Sequence, residues 1–293
     1  MNQLLTRSHC AIDECLRQCT EQAQQVGGGR WQFALRNGTR VTATAEAAFL
    51  LFDGPSPVQC ALSLAPQWLR WNAALAGNVK FALAPKPWRL RLRAEMLVDD
   101  EANTYARIGE IVRGMEQACQ SLEGSHRSPG ECHAHAAGDA SSHNLPALLR
   151  ETGWPFQERP ERAATVELPT RGGCCRVLLE ETGGGLHAGV EFLRTDSLTS
   201  TSSLALSAML LSASGTLRLA RPYAADTEGI FTCGFEVRFA GETTAGELEH
   251  ALEALAVAGW ACTEEVHSLL DNAAATQYMA VRNLSPTFER EES

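Results

Sequence analysis

Long apolar runs are missing from this sequence, and so is any excess of basic charge. No stretch reaches the uninterrupted apolar length that a membrane-spanning helix needs. Acidic side chains outnumber basic ones, 35 to 25, for a formal net charge of -10. A chain of that sign repels phosphate backbones, which argues against a nucleic-acid partner. The one basic cluster is Arg89, Arg91 and Arg93. Its alternation with Leu90 and Leu92 predicts a single solvated strand face. Close Cys-x-x-Cys pairs are absent although ten cysteines are present, so the usual pattern of a structural zinc site is lacking. The glycine runs at 27–29 and 183–185 carry no P-loop lysine and read as turns. The opening residues Met1-Asn2-Gln3-Leu4-Leu5 lack the basic and apolar regions of an export signal. The expectation is a cytoplasmic protein whose thiols are reduced and packed as small apolar groups.

Reactive constellations are equally thin. Glu180-Glu181 and Asp99-Asp100-Glu101 are explained by strand-end solvation and by the preference of acids for helix N-termini. Cys10, Cys15 and Cys19 share one helix, and Cys15 and Cys19 lie one turn apart, which suits core thiols. Strand alternation sends Cys174 and Cys175 to opposite faces. Cys132-His133-Ala134-His135, with His126 and His143, is the densest potential ligand set. It lies in a small-residue, polar stretch where the entropy of ordering the chain weakens metal binding. No catalytic residue, cofactor site or metal site is expected.

What the sequence does contain is one unit written twice. Gly77-Asn78-Val79-Lys80-Phe81-Ala82 reappears as Gly215-Thr216-Leu217-Arg218-Leu219-Ala220. In the first copy, Ile12, Cys15, Leu16 and Cys19 give a helical stripe within 8–25. Strands are predicted at 31–35, 41–44 and 48–52, the first two joined by an Asn37-Gly38 hairpin with positive φ at both central residues. A helix at 66–76, strands at 79–83 and 90–98, and a helix striped by Ile108, Ile111, Val112 and Met115 complete the copy.

In the second copy a helix is predicted at 145–152, capped by Gly153. Strands follow at 165–168, 175–180 and 188–193, then a helix at 201–213 and strands at 216–220 and 230–239. The closing helix opens on the capping box Thr244-Ala245-Gly246-Glu247 and is striped by Leu248, Ala251, Leu252 and Leu255. The fold class is therefore α+β, a tandem duplication of an α-β-β-β-α-β-β-α unit with antiparallel sheets. The first unit covers 1–123, a flexible linker 124–144, the second unit 145–270 and a C-terminal tail 271–293.

This order resembles the type III secretion chaperone-like fold of class I secretion chaperones and YbjN-like proteins. The resemblance is carried by 74–83 with 90–98, by 210–219 with 230–239, and by the closing helix 244–258. It covers about 8–122 and 145–270. It implies a protein-binding module without catalytic activity, holding an extended client segment on apolar grooves or on the sheet surface. The alternatives are a YbjN-like regulatory or structural protein without a secreted client, and an enzyme whose site is assembled from dispersed residues. A fused pair implies a pseudo-dimer within one chain. In the resembled family the middle helix lies at the dimer interface. Trp68, Trp71 and Leu75, with Leu206, Met209 and Leu210 in the second copy, are the candidate interface residues, between the units or with a partner. Ordinary core is the other reading of the same side chains.

Overall fold

The computed structural model describes residues 2–20, 22–56, 61–84, 88–98, 101–123, 144–170, 173–182 and 185–284. The first half contains α1 (Asn2–Cys19), β1 (Gln24–Gly27), β2 (Arg30–Ala34), β3 (Arg40–Glu46) and β4 (Phe49–Pro55). It continues with α2 (Ala65–Ala74), β5 (Lys80–Ala84), β6 (Arg89–Leu97) and α3 (Glu101–Glu123). The second half repeats this as α4 (Leu145–Thr152), β7 (Phe156–Arg159), β8 (Ala163–Thr170), β9 (Gly173–Thr182) and β10 (Gly185–Thr195). Then come α5 (Ser200–Ala213), β11 (Arg221–Thr227), β12 (Ile230–Ala240) and α6 (Ala245–Ser268), with α7 (Asn272–Val281) added at the end.

Each half builds a six-stranded antiparallel sheet, in the orders β1-β2-β3-β4-β6-β5 and β7-β8-β9-β10-β12-β11. The two orders are identical, so the structure is an α+β fold of two similar halves. Alternation decides which face is buried. In the first sheet Phe33 opposes Val41, Ala43 opposes Phe52 and Leu50 opposes Met96. These side chains share one core with Ile12 and Leu16 of α1 and with Ile108 and Met115 of α3. In the second sheet Val166 opposes Val177, and Val190 opposes both Val177 and Phe235. Leu248, Leu252 and Leu255 of α6 join them in the core. Each fully buried Leu, Val or Phe contributes about 1.5–3 kcal/mol.

The capping box is formed: Thr244 Oγ1 accepts from the Glu247 amide at 3.1 Å, and Glu247 Oε2 accepts from the Thr244 amide at 3.1 Å. Thr244→Ala is expected to lower stability by about 1 kcal/mol in a urea titration, with Thr244→Ser close to wild type. Gly153 terminates α4 in the left-handed region, at φ 73°.

Several expectations are corrected. The meander has four strands rather than three, because the short strands β1 and β7 precede it. The first helix ends at Cys19, well before residue 25, and β1 lies between it and the turn at Gly28 and Gly29. In the Asn37-Gly38 turn only Gly38 has positive φ, at 83°. Asn37 instead uses its side chain, whose Oδ1 accepts from the Thr39 amide at 3.0 Å. Residues 216–220 are not a strand. The second copy carries a longer irregular segment after its middle helix, with Leu219 at φ 58°, and its strand starts at Arg221. Arg91 and Arg93 do not stand free in solvent, since both bond to Asp53. The segment 271–293 is not simply a tail: α7 packs on α5. Of the linker 124–144 only Asn144 is described. Its side chain caps α4 by accepting from Ala147 N at 3.2 Å. The Cys132, His133, His135, His126 and His143 cluster lies outside the described residues.

Candidate functional site

Two features stand out: a seam between the halves, sealed by buried ion pairs, and a groove on the first half. The seam begins with the middle helices. α2 packs on α5, α2 lies against β11, and α5 lies against β5. The strand that ends each sheet is therefore covered by the other half's helix, which removes its exposed edge. Trp68, Trp71 and Leu75 are buried, as are Leu206, Met209 and Leu210. The Trp71 ring stands 6.2 Å from that of Phe81. α5 is buried nearly all round, from Ala205 to Leu211, as a helix enclosed on several sides must be.

Polar side chains finish the seal. Phe81 N donates to Asn72 Oδ1 at 2.7 Å, and Asn72 Nδ2 donates to Phe81 O at 3.4 Å. Asn72 thus takes the place of a neighbouring strand along β5. Ser214, from the second half, donates to the same carbonyl at 3.3 Å. Asn78, from the first half, accepts from Arg238 N at 2.9 Å.

Two buried cations cross the seam in opposite directions. Lys80 Nζ donates to Leu217 O at 2.7 Å and to Ala220 O at 3.2 Å, and lies 2.9 Å from Glu95 Oε2. Arg221 Nη1 donates to Leu75 O and Gly77 O at 2.8 Å each, and to Val79 O at 3.3 Å. Its Nε and Nη2 donate to Glu236 Oε1 at 3.1 and 2.7 Å. Each half therefore sends a cation, held by a glutamate on its own β6 or β12, into the carbonyls that follow the other half's middle helix. The two are matched in role and shifted in register. Arg221 lies directly opposite Glu236, whereas Lys80 lies opposite Arg93 and reaches Glu95 diagonally. Gly114 lets α3 approach the carbonyl loop, since a Cβ there would stand 2.8 Å from Ala76 O.

Glu236 is the electrostatic centre. Its Oε2 accepts from His187 Nε2 at 2.9 Å and from Arg238 Nη2 at 3.0 Å. Burial alone would raise its pKa, but Arg221, His187 and Arg238 together hold it down at about 2. Burial lowers Lys80, with Glu95 opposing, and it lowers Arg221 from a starting value high enough that the guanidinium stays charged. Nearby, a cavity of about 20 Å³ is lined by Asn78, Glu95, Arg107, Arg238, Phe239 and Glu247. That is room for one water molecule. The rim pairs Arg70–Asp226 and Arg218–Glu46 are exposed and add little.

The groove lies on the first half between α1, α3 and the β2–β3 hairpin, with a volume of about 850 Å³. Its floor includes Ala34, Leu35, Gly109 and Val112, and Arg17, Arg36, Arg113 and Glu116 line it as well. Arg17 and Arg36 are shared with Asp13 and Glu116, while Arg113 is exposed. Tyr105 is 46% exposed at the groove, so a large aromatic surface is open to a partner. Cys19 lines the same groove, and burial raises its thiol pKa.

Among the described residues no group of three His, Cys, Asp or Glu side chains is placed to hold a metal. Among them, too, no helix is long and apolar enough to cross a membrane. The sequence pointed to the tryptophan and methionine faces but gave no seam role to Asn72, Lys80, Glu95, Arg107, Arg221, Glu236 and Glu247. One signal was available. Lys80 and Glu95 recur as Arg221 and Glu236 at a single offset of 141 residues.

No protein-family model and no curated protein matches this chain. Among solved structures, the crystal structure of the di-domain ARO/CYC StfQ from the steffimycin biosynthetic pathway aligns over 94% of this chain and 96% of that chain, at 11% identity and a TM-score of 0.14. So weak a superposition carries no argument about this chain.

Proposed function

We propose that this chain is a cytoplasmic, non-catalytic protein-binding module that works as a pseudo-dimer. It holds a segment of a client protein, as class I secretion chaperones and their YbjN-like relatives suggest. The groove of about 850 Å³ on the first half carries this reading. Its apolar floor and the exposed Arg113, beside Arg17 and Arg36 that are shared with Asp13 and Glu116, favour a client segment that sets acidic residues among apolar ones. The seam supports it differently. Its buried ion pairs are tied to backbone carbonyls and join the two halves, as a pseudo-dimer requires. Among the described residues, His187, between Glu180 and Glu236, comes near to acid–base chemistry, but Glu236 is committed to two guanidinium groups.

A fluorescent peptide alternating Leu and Glu is the probe. Its anisotropy should rise with protein concentration, and a Leu–Lys counterpart should bind at least about tenfold more weakly, a difference of about 1.4 kcal/mol. Arg113→Glu should weaken the acidic peptide by a similar factor and make binding less sensitive to salt. Equal binding of both peptides, or an unchanged affinity in Arg113→Glu, removes the groove from the function.

A further inference from the structure

The seam has the form of an isologous interface with one asymmetry. In such an interface the same patch serves both partners, and equivalent positions meet each other only at the two-fold axis. The reciprocal carbonyl contacts of Lys80 and Arg221 define that pseudo-axis, as do the crossed packing of α2 on β11 and α5 on β5. At the axis stand Arg107 near the start of α3 and Glu247 near the start of α6. They occupy equivalent positions, at the offset of 140 residues that also relates Ile108, Ile111 and Met115 to Leu248, Ala251 and Leu255. Arg107 Nε donates to Glu247 Oε1 at 3.0 Å and Nη2 donates to Oε2 at 3.2 Å. The side chains are only 9% and 4% exposed, so the pair is well shielded from solvent. Arg107 Nη2 also donates to Glu242 O at 2.7 Å, and its guanidinium stands 5.4 Å from the centre of the Phe239 ring.

We propose that Arg107 and Glu247 form an address that decides which half pairs with which. The partner that each seam surface fits is the unlike half, either of its own chain or of a second copy of this chain. A pair of second halves would bury two Glu247 carboxylates against each other with no lysine or arginine from either α6 start, because the position equivalent to Glu110 is held by His250. A pair of first halves would bring two Arg107 together, with Glu110 at 3.4 Å as the carboxylate each keeps in its own half. Burying like charges in contact is strongly unfavourable, so like pairs are rejected. The equivalent faces of α2 and α5 differ in the same sense. Trp68 and Trp71 in one half stand where Leu206 and Met209 stand in the other, so their volumes are not interchangeable. Exchange of halves between two chains is allowed by the same rule, because the unlike pairing is satisfied in either arrangement.

Charge reversal in the full chain tests this. Arg107→Glu places carboxylates at both addresses, and Glu247→Arg places guanidinium groups at both. Each variant alone is expected to lose the compact monomer in sedimentation velocity and to melt earlier than wild type. Mixed one to one, they should form a heterodimer of doubled mass by native mass spectrometry. The reversed first half of the Arg107→Glu chain then meets the reversed second half of the Glu247→Arg chain, and the two unaltered halves restore the native pair. The double variant Arg107→Glu/Glu247→Arg should be a compact monomer again. It also controls for the capping bond that Glu247 accepts from the Thr244 amide, which the Glu247→Arg change removes in both settings. Compact monomers in both single variants, or no heterodimer on mixing, overturns the proposal. So does a double variant no more compact than the singles.

Discussion

Replacing Arg221 with Met is expected to lower the stability of the whole chain by about 3–5 kcal/mol. The side chain is 0% exposed, and the substitution leaves two sets of groups without a partner. Glu236 would keep a buried negative charge with only His187 and the half-exposed Arg238 beside it. The carbonyls of Leu75, Gly77 and Val79 would lose the donor that caps them. Removing one partner of a buried pair costs more than the pair contributes, because the survivor is stranded in a low-dielectric site. The double variant Arg221→Met/Glu236→Leu should therefore recover much of the loss. Arg221→Lys should fall between, since an ammonium cannot reach both Glu236 and three carbonyls. Equilibrium unfolding in guanidinium chloride measures all four proteins. Arg70→Ala, which removes a rim contact to Asp226, is the control and should change stability by about 1 kcal/mol or less. An Arg221→Met protein that unfolds within about 1 kcal/mol of wild type would show that the seam draws its stability from helix packing alone.

The reasons these residues escaped the sequence are physical. Alternation makes one face of β6 and β12 apolar, and Glu95 and Glu236 fall on the opposite face. A sequence assigns that face to solvent. It is buried because the other half covers it, and no local pattern encodes that. Arg93 is the same case: it bonds to Asp53 and to the Gly215 carbonyl across the seam. The elements with strong periodicity were legible. The β2–β4 meander, the middle helices, and the stripes of α3 and α6 all stand where the apolar spacing puts them, to within a few residues at their ends. The short strands were not. Gln24-Gln25-Val26-Gly27 has four residues and no alternating apolar set, so only pairing with β2 identifies it as a strand. β11 was displaced because the resemblance of Gly215–Ala220 to Gly77–Ala82 in sequence is not kept in backbone conformation: Gly77 has φ 57° and Gly215 has no positive φ. Unit two inserts residues before its strand, and Leu219 breaks the extended backbone with a positive φ. α7 carried no repeat to match, since the first half has no counterpart within its described residues.

Acid should destabilise the fold through the seam carboxylate Glu236. Glu236 has a pKa of about 2 in the folded protein against an ordinary value of 4.5. A depressed carboxylate contributes stability that is fully present above the ordinary value and is lost as pH falls through the folded one. The window is therefore about pH 4.5 down to about 2, and the size is about 3 kcal/mol, at 1.36 kcal/mol per pH unit. Glu110 acts in the opposite sense. Burial raises its pKa, although Arg107 opposes the rise. Its protonation therefore favours the folded state at low pH, and that contribution disappears as pH rises through the raised value. The Glu236 contribution therefore falls away below about pH 4.5, while that of Glu110 is lost as pH rises through its raised value. Unfolding free energies measured from neutral pH down to about pH 2 should show this shape. Glu236→Gln should be less stable at neutral pH, because a neutral amide gives Arg221 a poorer acceptor, and its curve should be flatter below about pH 4.5. Parallel wild-type and Glu236→Gln curves in the acid window would mean that this carboxylate does not hold the halves together.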